Sequence, residues 1–274
     1  MATITRTKVL HISGVAGVGS LLTKYSNKYN AESFYAERHG LSDTLNQYYG
    51  GKAFKNMKFL LIHTIFVRNS FAIVHLHGFE ILVPFFKLLG KKIVLHYHGS
   101  DINMKERNNN PFRIICRSIA DIILIGELEM KPRIIGKRKI IFLPNPIDTK
   151  SFSNIHVNKN GRALSIISDN LDKKAIKNYN LGIDKNITYY DISKSPIINI
   201  RDMPKFLAEY EYYIDNKITT YGRHFDILSS TGLQALSLGV KVIHNNKIIS
   251  KFPEQYRPEN IMEKLECIYA SLVC

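Results

Sequence analysis

The feature that most constrains the fold is an alternation. Short apolar, β-branched runs (KVLHIS, FAIVHLHG, KKIVLHYHG, DIILIG) are separated by segments long enough for helices. Strands apolar on both faces sit inside a sheet, and strands joined through helices run parallel. The first half therefore predicts a doubly wound α/β domain. Its expected strands are Lys8 to Ser13, ESFYAE, FAIVHLHG, KKIVLHYHG, DIILIG and KIIFLP; its expected helices are AFKNMKFLLIHTIF, EILVPFFKLLG and PFRIICRSIA, the last with Pro111 at its first position. The stretch PNPIDTKSFSNIHVNKNGR then breaks the rhythm with Pro, Asn, Ser and Gly. It marks the boundary between a first domain at 1–148 and a smaller second one at 149–274. There the expected strands are ALSIIS, NITYYDI and VKVIHN, and the expected helices MPKFLAEYEYY, STGLQALSLG and PENIMEKLECIYASL. Two Rossmann-like units facing a cleft would present ligand sites at the carboxyl ends of their strands.

The first strand runs into Gly14, Gly17 and Gly19. Neither nucleotide fingerprint closes there. A P-loop needs Lys where Ser20 stands, and the dinucleotide motif needs Gly where Leu22 stands. What remains is a glycine turn at a helix start, able to bring backbone N–H groups close to a ligand.

Two further places carry polar chemistry. His75, His77, His96 and His98 end two strands, paired at a spacing of two so that each pair shares a face. No carboxylate set with ligand spacing accompanies them, so the expectation is no bound metal. His98 opens HGSD, where Gly99 permits a sharp turn and Asp101 follows. In the second half, Ser229, Ser230 and Thr231 precede a helix ending at Gly239. A helix start with hydroxyls suits a diphosphate, while Thr231-x-x-Gln234 also reads as a capping box.

Charge is uneven. Residues 1–150 hold 22 basic and 10 acidic side chains, and 151–274 hold 16 and 13. The positive first half suggests an anionic partner: an anionic membrane surface, a phosphorylated acceptor or nucleic acid. FEILVPFFKLLGKK would supply the membrane contact, with Phe85, Phe86, Leu88 and Leu89 toward acyl chains and Lys87, Lys91 and Lys92 toward headgroups. No nucleic-acid-binding motif accompanies the charge. Three scattered cysteines, no signal peptide and no clean apolar span fit a cytoplasmic protein, peripheral on the inner membrane face.

Together these pieces resemble a GT-B glycosyltransferase, most closely glycosyltransferase family 4, over nearly the whole chain. The glycine loop resembles the family's acceptor-side loop, IVHLHG its Asp-h-h-His-h-His strand end, and HGSD its His-Gly-x-Asp. LPNPIDTKSF resembles the hinge Pro-Asn-Gly-Val-Asp-x-x-x-Phe, and TGLQALSLGVKVI the donor helix. The resemblance implies transfer of a sugar from a nucleotide-diphosphate sugar to a lipid-linked or polysaccharide acceptor, with retention and without metal or cofactor. It implies His98, Asp101 and Asp226 as catalytic residues and Gly14, Gly17, Gly19 and His77 on the acceptor side. Ser229, Ser230, Thr231, Gln234, Arg223 and Lys174 would bind the donor. The chain departs from the family where Gln234 replaces a Glu and Asp169 fills an arginine slot. A degenerate partner protein without turnover and a basic nucleic-acid-binding protein therefore stand as alternatives.

Overall fold

The computed structural model describes residues 8–12, 17–38, 41–99, 110–134, 139–152, 155–167, 186–192, 194–196, 198–199, 201–215 and 227–273. The chain divides into two compact units, Met1–Pro146 with Gln255–Cys274, and Ile147–Glu254. Both are mixed α/β. The terminal residues from 255 on, expected with the second domain, pack with the first unit.

Among the described residues, the first unit holds a seven-stranded sheet, all parallel, in the order β3-β2-β1-β4-β5-β6-β7. The strands are β1 Lys8–Ile12, β2 Asn30–Ala36, β3 Lys52–Phe54, β4 Ile73–His77, β5 Lys92–Tyr97, β6 Ile122–Ile125 and β7 Ile140–Phe142. The helices are α1 Val18–Lys24, α2 Leu41–Tyr48, α3 Met57–Phe66, α4 Val83–Leu88 and α5 Pro111–Ile119. A long helix near the C-terminus, Pro258–Val273, completes the unit and is called α8. Side chains alternate across each strand and fill two cores. On one face Leu10, Phe34, Leu76, Leu95 and Ile123 pack with Leu60 of α3, Phe86 of α4 and Cys116 of α5. On the other, Val9, Ile73, Val94 and Leu124 pack with Leu21 and Leu22 of α1 and with Leu265 and Tyr269 of α8. The order reverses between β1 and β4, the switch point where open α/β sheets bind ligands.

Two expectations fail locally. Lys52–Phe54 is an edge strand, because Asn56 takes extended backbone and caps α3, accepting the Phe59 N–H at 3.2 Å. α2 was not expected, although Leu41, Leu45 and Tyr48 recur at helical spacing between its polar residues. On α4, Phe86 is fully buried and Phe85 and Leu89 pack against the core, so the apolar side of this helix faces the sheet. Lys87 pairs with Asp121 at 2.5 Å, and Lys91 donates to the Phe71 carbonyl at 2.7 Å. Only Leu88 of the expected lipid-facing set is exposed. The exposed apolar face lies on α3 instead, through Phe59, Ile62, Ile65 and Phe66. No helix among the described residues is long and apolar enough to cross a membrane.

The second unit, among the described residues, has a five-stranded sheet ordered β12-β11-β10-β8-β9. Its elements are β8 Ala163–Ile167, β9 Ile187–Asp191, α6 Met203–Ala208, β10 Tyr212–Ile214, α7 Ser230–Leu238, β11 Lys241–His244 and β12 Lys247–Ile249. β12 is antiparallel and the others parallel. The expected helix MPKFLAEYEYY ends at Ala208, and Tyr212–Ile214 becomes a central strand. Burial of Tyr213 and Ile214 between two neighbours favours extended backbone for these β-preferring residues. β12 went unread, although Asn245-Asn246, both left-handed with φ 47° and 59°, forms the two-residue turn that links it to β11.

Candidate functional site

The α1/α8 side of the first sheet carries five described histidines where apolar residues would ordinarily sit. Register explains their assembly. His11 lies beside His75 in the β1/β4 ladder, and His77 beside His96 in the β4/β5 ladder. Period-two alternation turns all four rings, and His98 just past β5, to one face. His11, His75, His77 and His96 are completely buried, and His98 nearly so.

The rings form a directed hydrogen-bond chain. Asn145 donates its Nδ2 to the His98 carbonyl at 3.4 Å, which aims its Oδ1 at His98 Nδ1, 2.6 Å away. An amide oxygen only accepts, so His98 carries its proton on Nδ1 and accepts at Nε2. The same logic propagates. His77 Nδ1 donates to His98 Nε2 at 2.8 Å, and His11 Nδ1 donates to His77 Nε2 at 3.0 Å. Tyr269 of α8 then donates to His11 Nε2 at 3.3 Å and accepts from His75 Nδ1 at 2.7 Å. His96 stands beside the chain and donates Nε2–H to the Leu143 carbonyl at 3.3 Å. Two nitrogens, His75 Nε2 and His96 Nδ1, have no partner among the described residues. Burial holds His11 down to about 3 and His75, His77 and His96 well below the ordinary imidazole value, neighbouring imidazoles adding to the effect in the last three. These rings are neutral at ordinary pH.

His98 lies where the sequence put the chemistry, at a strand end, and it is joined to Asn145 of LPNPIDTKSF. Gly126 makes this junction possible: a Cβ there would come within 3.0 Å of Asn145 Oδ1. Gly99 follows His98 with φ 138°, backbone that a side chain rarely tolerates. Asp101 and Gly14 lie outside the described residues. Gly17, in left-handed conformation, caps α1, and a Cβ on it would meet Leu45 Cβ at 2.8 Å, so its glycine is required by packing against α2. Gly19 is buried within α1. Ser20, at the P-loop lysine position, turns inward to Ser33 and Asn46, both at 2.9 Å.

At the second place, α7 starts at Ser230 and its N-cap is Ser229, whose Oγ accepts the Gly232 N–H at 3.0 Å. This corrects the expected capping box, since the cap sits two residues before Thr231 and Gly232 occupies the third helical position. Asp215, at the end of β10, accepts the Ser229 N–H at 2.7 Å. Gly232 is what lets that carboxylate approach, because a Cβ there would lie 2.5 Å from Asp215 Oδ2. His244 donates Nδ1–H to the Asp215 carbonyl at 2.8 Å. A negative side chain thus already faces the positive end of the helix. Asp215 is buried, and its Oδ1 has no partner among the described residues. Ser230 is exposed, and Thr231 and Gln234 are half-buried. The buried Tyr213 hydroxyl of β10 hydrogen-bonds the Ser229 and Thr231 side chains. Lys174, Arg223 and Asp226 lie outside the described residues.

The structure thus joins His77 and His98, which the sequence singled out, to His11, Asn145 and Tyr269, which it did not; Asp215 was likewise unread. No family model matches the chain, and no curated protein matches it. Among solved structures it is similar to MurG of Acinetobacter baumannii, with 11% identity and a TM-score of 0.41, covering 95% of this chain and 83% of that one.

Proposed function

We propose that the chain is a glycosyltransferase of the two-domain GT-B type. In this reading it moves a sugar, with retention, from a nucleotide-diphosphate sugar to a lipid-linked or polysaccharide acceptor. The observation that carries it is the meeting of His98 and Asn145. The two stretches that most resemble the family on the first unit, HGSD and the hinge, lie 47 residues apart and share a 2.6 Å hydrogen bond. A functional loop residue fixed in tautomer by a neighbouring strand end is a positioned group.

In this mechanism His98 and Asp101 contact the transferred sugar or acceptor near the reacting centre, with His77 and the glycine loop behind them. The diphosphate sits at the start of α7, where the first-turn N–H groups of Ser230 and Thr231 have no partner within the helix. Arg223 and Lys174 add positive charge, Gln234 bonds the ribose, and Asp226 the sugar hydroxyls. Positive charge and helix dipole stabilise the leaving group, so no ion is needed at the diphosphate. The exposed apolar side of α3 and the basic first half bring the cytoplasmic protein to an anionic membrane.

A second reading, a partner protein without turnover, is favoured by one observation: Asp215 brings negative charge to the donor helix start in a chain where Gln234 replaces the family's Glu. A thermal-shift screen of nucleoside diphosphates separates the two. A saturating ligand at about 100 times its Kd stabilises by about 2.7 kcal/mol. Stabilisation by one nucleoside diphosphate supports the transferase. No stabilisation by any of them refutes it.

A further inference from the structure

One helical layer of the first unit is apolar on its outer as well as its inner side. α3 runs between β3 and β4, α4 between β4 and β5, and α5 between β5 and β6. Leu60, Phe86 and Cys116 carry these helices into the same core, so all three lie side by side on one face of the sheet. Helices in such a layer ordinarily turn polar residues to solvent. These expose Phe59 and Phe66 on α3, Leu88 on α4, and Phe112 and Ile115 on α5, with Ile81 in the turn leading into α4. Phe66 and Leu88 are 80% and 88% exposed. Phe59 and Phe66 stand two turns apart, and Phe112 and Ile115 one turn apart, so each pair shares a side of its helix.

We propose that this layer docks on an anionic lipid membrane, with the first sheet lying parallel to the bilayer surface. The inference extends the membrane approach already proposed through α3. It brings all three helices to the bilayer and fixes the orientation of the first unit on it.

Two features carry the assignment. The first is asymmetry. On the opposite face of the sheet, α1 and α8 expose only Val273 as a large apolar side chain among the described residues, and α8 carries Glu259, Glu263 and Glu266. Exposed apolar residues gathered on one side of a unit mark an interaction surface.

The second feature is charge. The three helices, MKFLLIHTIF, VPFFKL and PFRIICRSI, contain no acidic residue, and none occurs from residue 44 to residue 79. Exposed Lys55 and Arg68 flank the two ends of α3, and exposed Lys92 opens β5. Lys58 stands one turn before Ile62 and two before Ile65, on the outer side of α3. The carboxylates at the ends of α4 and α5 are already paired, Glu80 with Arg113 and Arg117, and Asp121 with Lys87. A bilayer with anionic headgroups meets both properties, acyl chains receiving the aromatic and aliphatic tips and headgroups the lysines and arginine. A second copy of the same face would instead set like charges against one another.

The chain contains no tryptophan, so one introduced at an exposed apolar position reports on that position alone. The test uses the full chain carrying Phe66→Trp, Leu88→Trp or Phe112→Trp, with Val273→Trp on α8 as the control, folding being checked by circular dichroism. Each is sedimented with phosphatidylcholine vesicles, with and without phosphatidylglycerol, and its fluorescence is read with lipids brominated along the acyl chain. Sedimentation is expected with the anionic vesicles only, weakening at high salt. Quenching is expected at positions 66, 88 and 112 and not at 273. Joint Leu88→Ser and Phe112→Ser, which leave α3 intact, should weaken binding at least about tenfold. Absence of binding overturns the proposal, as does equal binding to neutral and anionic vesicles. Quenching at position 66 alone, or full binding by the double serine variant, overturns the three-helix layer. Equal quenching at position 273 overturns the orientation. A dimer in analytical ultracentrifugation that the serine substitutions abolish gives the face to a second copy and overturns the lipid assignment. Release of nucleoside diphosphate from nucleotide sugars is measured without vesicles, so failure of docking and failure of the transferase reading are seen separately.

Discussion

Acid should unfold the first unit over a window set by its histidines. His11, His75, His77 and His96 are held neutral by burial, with His11 near 3 and the others well below the usual value of 6.5. In the unfolded chain each titrates at about 6.5. Below that pH the unfolded state takes up protons that the folded state refuses. The stability associated with neutral rings is therefore complete above about pH 6.5 and is lost as pH falls toward the folded values. Each such ring contributes a slope of up to about 1.4 kcal/mol per pH unit, so four give up to about 5. Between pH 7 and 5.5 the loss comes to about 5 kcal/mol, comparable to the whole stability of many domains. Tyr269, packed against His11 and His75, carries no charge that would offset it, since burial pushes its hydroxyl well above the usual value. Urea unfolding of metal-free protein, with chelator present, should show the midpoint falling through this window. His75→Gln should reduce the slope by about a quarter. A midpoint flat from pH 7 to 5.5, with loss only in the carboxylate range below about pH 4.5, would refute the neutral cluster.

Three further changes test the packing. Tyr269→Phe keeps the ring against Tyr29 but strips the oxygen shared by His11 and His75; urea unfolding should show a loss of about 2–4 kcal/mol, and a loss under about 0.5 would mean the oxygen bridges nothing. Arg117, fully buried, bonds Glu80 at 3.5 Å and the Tyr97 hydroxyl at 3.1 Å, so Arg117→Met should cost about 3–5 kcal/mol, largely recovered on adding Glu80→Met; an equal or larger loss in the double variant would contradict a charge-pair origin. Gly232→Ala drives a methyl into Asp215 and should cost about 1–3 kcal/mol by thermal unfolding, whereas a neutral effect would show that Asp215 does not hold the α7 start.

The parallel sheets were legible because KVLHI, IVHLH, KIVLHY and IILI are apolar on both faces, a pattern that few other arrangements satisfy. Gly239 ending α7 and Pro111 opening α5 were equally readable, since each acts through its own backbone. Tyr212–Ile214 was not, because its strand state comes from neighbours β8 and β11 and the short local pattern suits a helix too. The site divides the same way. His77 and His98 stood out as strand-end residues. His11, mid-strand and alone, gains meaning only from register with His75, 64 positions away. Tyr269 sits on a helix that returns to the first unit from the far end of the chain, and no local pattern announces that. Asp215 acts through a glycine in the next helix, a contact visible only in three dimensions.

The central claim is sugar transfer with His98 at the reacting centre. Its most direct measurement is release of nucleoside diphosphate from a panel of nucleotide sugars, by wild-type protein and by His98→Ala, with folding of both confirmed by urea unfolding. Transfer predicts release from one donor by wild type, accelerated by a glycan or lipid-linked acceptor. It predicts a loss of about 10²-fold or more in His98→Ala at unchanged donor affinity. No release from any donor, or equal release by both proteins, would contradict it.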